Sequence, residues 1–175
     1  MILSLFRKNP VREPVYAVYR SIVAQSRQPR FYADWGVPDT VTGRFDMISL
    51  HLALLFRRLR TEDAQARAFS QSVFDLFFKD MDGSLRELGA GDLAVPKKIQ
   101  KMGGLFYGLL QNVAEALDGG DTDTLTGVLV RNVYGGAENP AARELALYLS
   151  AESQRIERVP TTRIVSGSLE TEAAA

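Results

Sequence analysis

Apolar residues recur along this chain with the period of a helix and almost nowhere with that of a strand. Val15, Val18, Tyr19 and Ile22 share one face of a segment that opens at Pro14 and is stopped by Pro29, which predicts a first helix over 14–28. Phe45, Ile48, Leu52, Leu55, Phe56 and Leu59 recur at i, i+3, i+4 and i+7, which predicts a second over 42–60. Arg57, Arg58 and Arg60 fill its last turn, where the helix dipole favours cations. Thr61-Glu62-Asp63 gives a hydroxyl cap followed by two acids, so a third helix restarts there. It carries Phe69, Val73, Leu76, Phe77 and Met81 as far as the stop at Gly89-Ala90-Gly91. Pro96 opens a fourth, with a broad stripe of Ile99, Met102, Phe106, Leu109, Leu110, Val113 and Leu117. A short fifth over 122–134 presents Leu125, Val128, Leu129 and Val133, and Asn139-Pro140 opens a sixth with Leu145, Tyr148, Leu149 and Ile156.

Two stretches stand out between and within these elements. The connection over 30–40 holds Phe31, Tyr32 and the only tryptophan, Trp35, with Gly36 and Pro38 as breakers. Three aromatics so close together predict an ordered loop. Gly103, Gly104 and Gly108 lie inside the fourth helix, where each destabilises by ~1 kcal/mol relative to alanine. They point to the close approach of another backbone, or to a partner. After Arg158 no periodicity remains. The pattern predicts an all-α protein: a single compact bundle of about six helices over 12–158, a flexible segment over 1–11, and a flexible, disordered tail over 159–175.

A length of 175 residues suits one domain, and 46% hydrophobic with 24% charged residues suits a globular one. The chain has no cysteine, which excludes disulfides, thiolate metal sites and cysteine nucleophiles. A formal net charge of zero gives no general attraction to nucleic acid, and DNA is not an expected partner. The charge is unevenly spread, however. Residues 1–60 hold ten Lys/Arg against four Asp/Glu, a surplus of six that suits an anionic membrane surface or the ribosome. No apolar run reaches the roughly 20 residues that span a bilayer. In Met1-Ile2-Leu3-Ser4-Leu5-Phe6-Arg7-Lys8 the charges follow the apolar residues, whereas in a signal peptide they precede them. Leu3, Leu5 and Phe6 either pack locally or touch a membrane surface beside Arg7 and Lys8.

Little here builds an active site. His51 is the only histidine, which excludes a multi-histidine metal site, and no serine or carboxylate is spaced to orient it. It reads as a surface or interface histidine of the second helix. Asp80-Met81-Asp82-Gly83 starts like a calcium loop, but Leu85 stands where that loop needs glycine, leaving a solvated acidic turn. Gly89-Ala90-Gly91-Asp92 lacks the lysine and hydroxyl of a phosphate loop. Lys97, Lys98 and Lys101 open the fourth helix, where the dipole disfavours cations. They read either as a patch for an acidic partner or phospholipid headgroups, or as a solvated face. The expectation is a non-catalytic protein-binding chain without cofactor or metal.

Three segments in register resemble the ubiquinol–cytochrome c chaperone family. The first is Phe31-Tyr32-Ala33-Asp34-Trp35-Gly36-Val37-Pro38-Asp39-Thr40, leading into Gly43-Arg44-Phe45-Asp46-Met47 and Leu50-His51. The second is Phe77-Phe78-Lys79-Asp80-Met81-Asp82 with Leu85-Arg86-Glu87-Leu88-Gly89. The third is Gly91-Asp92-Leu93-Ala94-Val95-Pro96-Lys97-Lys98 with Lys101-Met102 and Phe106-Tyr107-Gly108. Order and spacing agree over residues 12–150. Leu109 departs from the pattern, since an arginine commonly follows the Phe-Tyr-Gly element in relatives.

The resemblance implies an assembly factor of the cytochrome bc complex, respiratory complex III. Its client would be cytochrome b or another subunit of that complex, with a second small assembly factor as partner. With no transit peptide, it implies a bacterial member working in the cytoplasm or peripherally on the inner membrane. The expected contact residues are Tyr32, Trp35, Arg44, Asp46 and His51, with Lys97, Lys98, Lys101, Phe106 and Tyr107 from the fourth helix. The competing expectation is a helical membrane-surface protein without a dedicated client.

Overall fold

The second predicted helix is apolar on almost every side, and it takes the centre of the fold. The computed structural model describes residues 12–91 and 93–171. They form eight helices: α1 Arg12–Ser26, α2 Pro29–Ala33, α3 Val41–Leu59, α4 Ala64–Glu87, α5 Val95–Gly119, α6 Thr122–Asn132, α7 Ala142–Glu157 and α8 Thr161–Val165. No strand occurs among the described residues. The segment over 1–11 lies outside them.

Phe45, Ile48, Leu52, Leu55 and Leu59 on one side of α3 pack with Val15, Val18 and Ile22 of α1 and Phe69, Val73 and Phe77 of α4. On the other side Met47, Leu50, Ala53 and Leu54 pack with Leu109 and Val113 of α5, Leu125 and Leu129 of α6, and Leu145 and Leu149 of α7. α5 reaches both cores, because Phe106 joins the first and Leu109 the second. Burying each such side chain contributes roughly 1.5–3 kcal/mol, so α3 ties the two halves together.

The element boundaries follow local chemistry. Thr40 Oγ1 accepts from Gly43 N at 3.1 Å and caps α3. Gly43 has no alternative, since a Cβ there would lie 1.9 Å from the Pro38 carbonyl oxygen. The cap of α4 is Asp63, whose carboxylate accepts from Ala66 N at 2.9 Å, rather than the expected Thr61. The end of α3 uses the residues before it for its own turn, with Glu62 N donating to Leu59 O. Asp80 to Gly83 is not a turn but helix interior: Tyr19 OH donates to Asp80 at 2.7 Å, and Arg86 pairs with Asp82 at 2.6 Å. α7 begins at Ala142, after Asn139 Oδ1 has accepted from Ala141 N at 2.8 Å.

Two helices are additional to the six. α2 lies inside the aromatic connection, with Phe31 fully buried beneath it. α8 lies in the stretch expected to be a disordered tail. There Val159, Ile164 and Leu169 are buried, Arg58 donates to Val159 O at 3.2 Å, and Arg155 donates to Leu169 O at 2.5 Å. Gly167, at φ +108°, lets the chain close on Pro14 of α1. Order therefore continues to residue 171, and only 172–175 of that stretch lie outside the described residues.

The glycines of α5 have a different surrounding from the one their sequence suggests. A Cβ built on Gly104 or Gly108 meets nothing within 4 Å, and on Gly103 it meets only a Phe78 ring carbon at 3.9 Å. No backbone among the described residues approaches them.

Candidate functional site

His51 is a core residue, not a surface one. Its Nδ1 lies 2.7 Å from Met47 O and its Nε2 lies 2.8 Å from Tyr148 OH. A carbonyl oxygen only accepts, so Nδ1 carries the proton and Nε2 accepts from the tyrosine. Gln25 Nε2 in turn donates to Tyr148 OH at 2.8 Å, and Gln28 Nε2 donates to Gln25 Oε1 at 2.8 Å. This directed chain fixes the neutral imidazole. Burial also disfavours the charged form and holds the His51 pKa below the ordinary histidine value.

A folded-state pKa below the unfolded one means that the unfolded chain binds more protons. The contribution of His51 is therefore present above pH ~6.5 and lost as pH falls toward the lowered folded value. Tyr148→Phe strands His51 Nε2 and Gln25 Nε2 and is expected to destabilise by about 1–3 kcal/mol in urea unfolding near neutral pH. A change below about 0.3 kcal/mol would contradict this account of the chain of bonds.

The aromatic loop is ordered around the same point. The Arg30 guanidinium carbon lies 5.2 Å from the ring centres of Phe31 and Trp35 and 4.7 Å from that of Tyr148. Tyr134 OH donates to Trp35 O, and Tyr32 OH donates to Ser26 O, both at 2.9 Å. Trp35 and Tyr32 are thus half-buried supports of the α1–α2–α7 corner. Arg44 is exposed and pairs with Asp39 at 2.7 Å.

Asp46 is half-buried on α3, and no hydrogen bond or ion pair links it to another described residue. Burial pushes its carboxyl up to about 7. Because the folded pKa exceeds the unfolded one, its protonated form stabilises below the unfolded value, and that contribution is lost as pH rises through about 7. Asp46→Asn is accordingly expected to raise stability by about 1–3 kcal/mol at about pH 8, and to leave it unchanged at about pH 4. Equal effects at both pH values would refute the desolvated carboxylate.

The expected contact residues do not converge on one place. Lys98 and Lys101 line a groove between the start of α3, the end of α4 and the first half of α5, with Lys97 exposed beside them. Phe106 is buried in the core, and Tyr107 is exposed over a separate small hollow beside Phe56 and Phe74. Leu109 is buried in the second core, so no charge stands at that position.

The groove is the open apolar feature of this end. It encloses about 500 Å³, lined by Val41, Thr42 and Phe45, by Leu85, Leu88, Gly89 and Ala90, and by Lys98, Lys101, Met102 and Leu105. Val41, Leu88 and Leu105 are 46%, 65% and 55% exposed, so the groove wall spends apolar surface on water. Leu105 is legible in hindsight as an apolar residue outside the α5 stripe, and Val41 and Leu88 as apolar residues at helix ends. Gly104 and Gly108 are exposed and unobstructed, and neither lines the groove.

Among the described residues, no group of acids and histidines could hold a metal ion, and no helix is long and apolar enough to cross a membrane. No curated protein matches the chain. The crystal structure of the Cbp3 homolog from Brucella abortus is 39% identical, covers 99% of this chain and 97% of its own, and superposes with a TM-score of 0.86. The family model of the ubiquinol–cytochrome c chaperones matches residues 33–172, which span the groove, Trp35, Tyr148 and α8. The groove and its supports therefore sit on a fold shared along nearly the whole length, and the chain belongs to the ubiquinol–cytochrome c chaperone family.

Proposed function

We propose that the protein is a non-catalytic assembly chaperone that holds an apolar segment of a cytochrome bc complex subunit, cytochrome b, in the groove between α3, α4 and α5. Family membership supports the class of function. The observation that carries the site is the groove itself: three apolar side chains largely open to water, with two lysines at its edge. A helix laid in such a groove would bury Val41, Leu88 and Leu105, and Lys98 and Lys101 would meet its acidic side chains or its carbonyl end. Of the other expected contacts, Arg44 and Tyr107 have exposed surface to offer, whereas His51 and Phe106 act by holding the framework.

The test is recovery of the tagged protein from membranes solubilised in mild detergent. Cytochrome b is expected to copurify with it. A preparation that yields no bc-complex subunit would remove the client assignment.

A further inference from the structure

The turn between α4 and α5 carries two leucines and leads into three lysines whose placement stability does not explain. Gly89, at φ +83°, ends α4, and Ala90 N donates back to Leu85 O at 3.0 Å, which closes the helix end. Leu88 is 65% and Leu93 is 91% exposed. Folding buries little of either, so neither is there to fill the core. Lys97, Lys98 and Lys101 follow in the first two turns of α5, where the helix dipole opposes cations. None of the three forms an ion pair with another described residue. Arg86, by contrast, is paired with Asp82.

We propose that this turn seats on an anionic bilayer, with Leu88 and Leu93 entering the headgroup region and Lys97, Lys98 and Lys101 resting on lipid phosphates. Apolar tips flanked by lysines are the chemistry that binds such surfaces, and the charge complementarity chooses lipid over neutral apolar material. Glu87, the last residue of α4, opposes the contact, so the binding is reversible and salt-sensitive. Leu88, Lys98 and Lys101 also line the groove, so the seating places the groove mouth at the membrane surface. That consequence rests on the client reading; the lipid contact does not.

The test uses the full chain and vesicles of phosphatidylcholine alone or mixed with phosphatidylglycerol, with flotation across a salt series. The wild type is expected to float with the anionic vesicles and not with the neutral ones. Each Lys→Gln change at 97, 98 or 101 weakens binding about fivefold, and Glu87→Gln strengthens it. Leu93→Ser weakens binding without changing the melting temperature, because Leu93 is already in water. Three results overturn the proposal: no flotation, equal flotation with neutral vesicles, or variants that float like the wild type. A protein that captures cytochrome b but ignores vesicles loses only the seating. One that floats but captures no client loses only the client reading.

Discussion

Replacing Phe77 by alanine is expected to lower the unfolding free energy by about 3–5 kcal/mol. Phe77 is fully buried and stands where four helices meet. Its ring centre lies 5.4 Å from Phe45 on α3, 5.7 Å from Phe106 on α5 and 6.4 Å from Tyr19 on α1, with its neighbour Phe78 at 5.1 Å. Aromatic pairs at such distances add about 0.5–1.5 kcal/mol beyond the area they bury. The rings around the void are themselves large and locked by one another, so little collapse can fill it. Domains are stable by only about 5–15 kcal/mol, so this one substitution removes a large share. Urea unfolding should show the midpoint falling with an unchanged slope. A loss below about 1 kcal/mol would mean that the four-helix junction is looser than described.

Charging the groove should do the opposite: leave the fold intact and remove the function. Leu88→Asp with Leu105→Asp places two carboxylates where the proposed client segment lies. Each leucine buried in a complex contributes roughly 1.5–3 kcal/mol, and desolvating a carboxylate adds a further penalty. Capture of cytochrome b should therefore weaken more than about a hundredfold. Both side chains are more than half exposed in the free protein, so the melting temperature should hold within a few degrees. Unchanged capture would move the client to another face, with the hollow beside Tyr107 the next to try.

The sequence made the framework legible because apolar periodicity is a direct record of which faces are buried. All six amphipathic segments became helices, and α3 emerged as central because its apolar residues surround it. What escaped depends on contacts that leave no period. Val159, Ile164 and Leu169 are five residues apart, and arginines from α3 and α7 hold their stretch through backbone oxygens. Asp63 displaced Thr61 as a cap because the preceding helix used the turn. His51 looked like a surface residue because its partner, Tyr148, lies 97 positions away.

The candidate site was less legible for the same reason. Lys98 and Lys101 could be singled out because they defy the helix dipole, and both line the groove. Leu105 stands off the apolar stripe of α5 and Leu88 at the end of α4, a signal that marks them as odd, and the packing shows that they face water. Asp46 drew notice by resemblance, but its burial and raised pKa come from the fold. Trp35 and Tyr32 drew notice as aromatics of an ordered loop and as expected contacts, and both support a corner built on Arg30.

The central claim is that the α3–α4–α5 groove, rather than the rest of the surface, receives the client. Photocrosslinking in cells tests it most directly, with a photoreactive residue at position 105 in the groove or at position 147, an exposed leucine of α7 on the other side of the fold. The account predicts an adduct with cytochrome b from 105 and none from 147. An adduct from 147 alone, or equal yields from both positions, would contradict it.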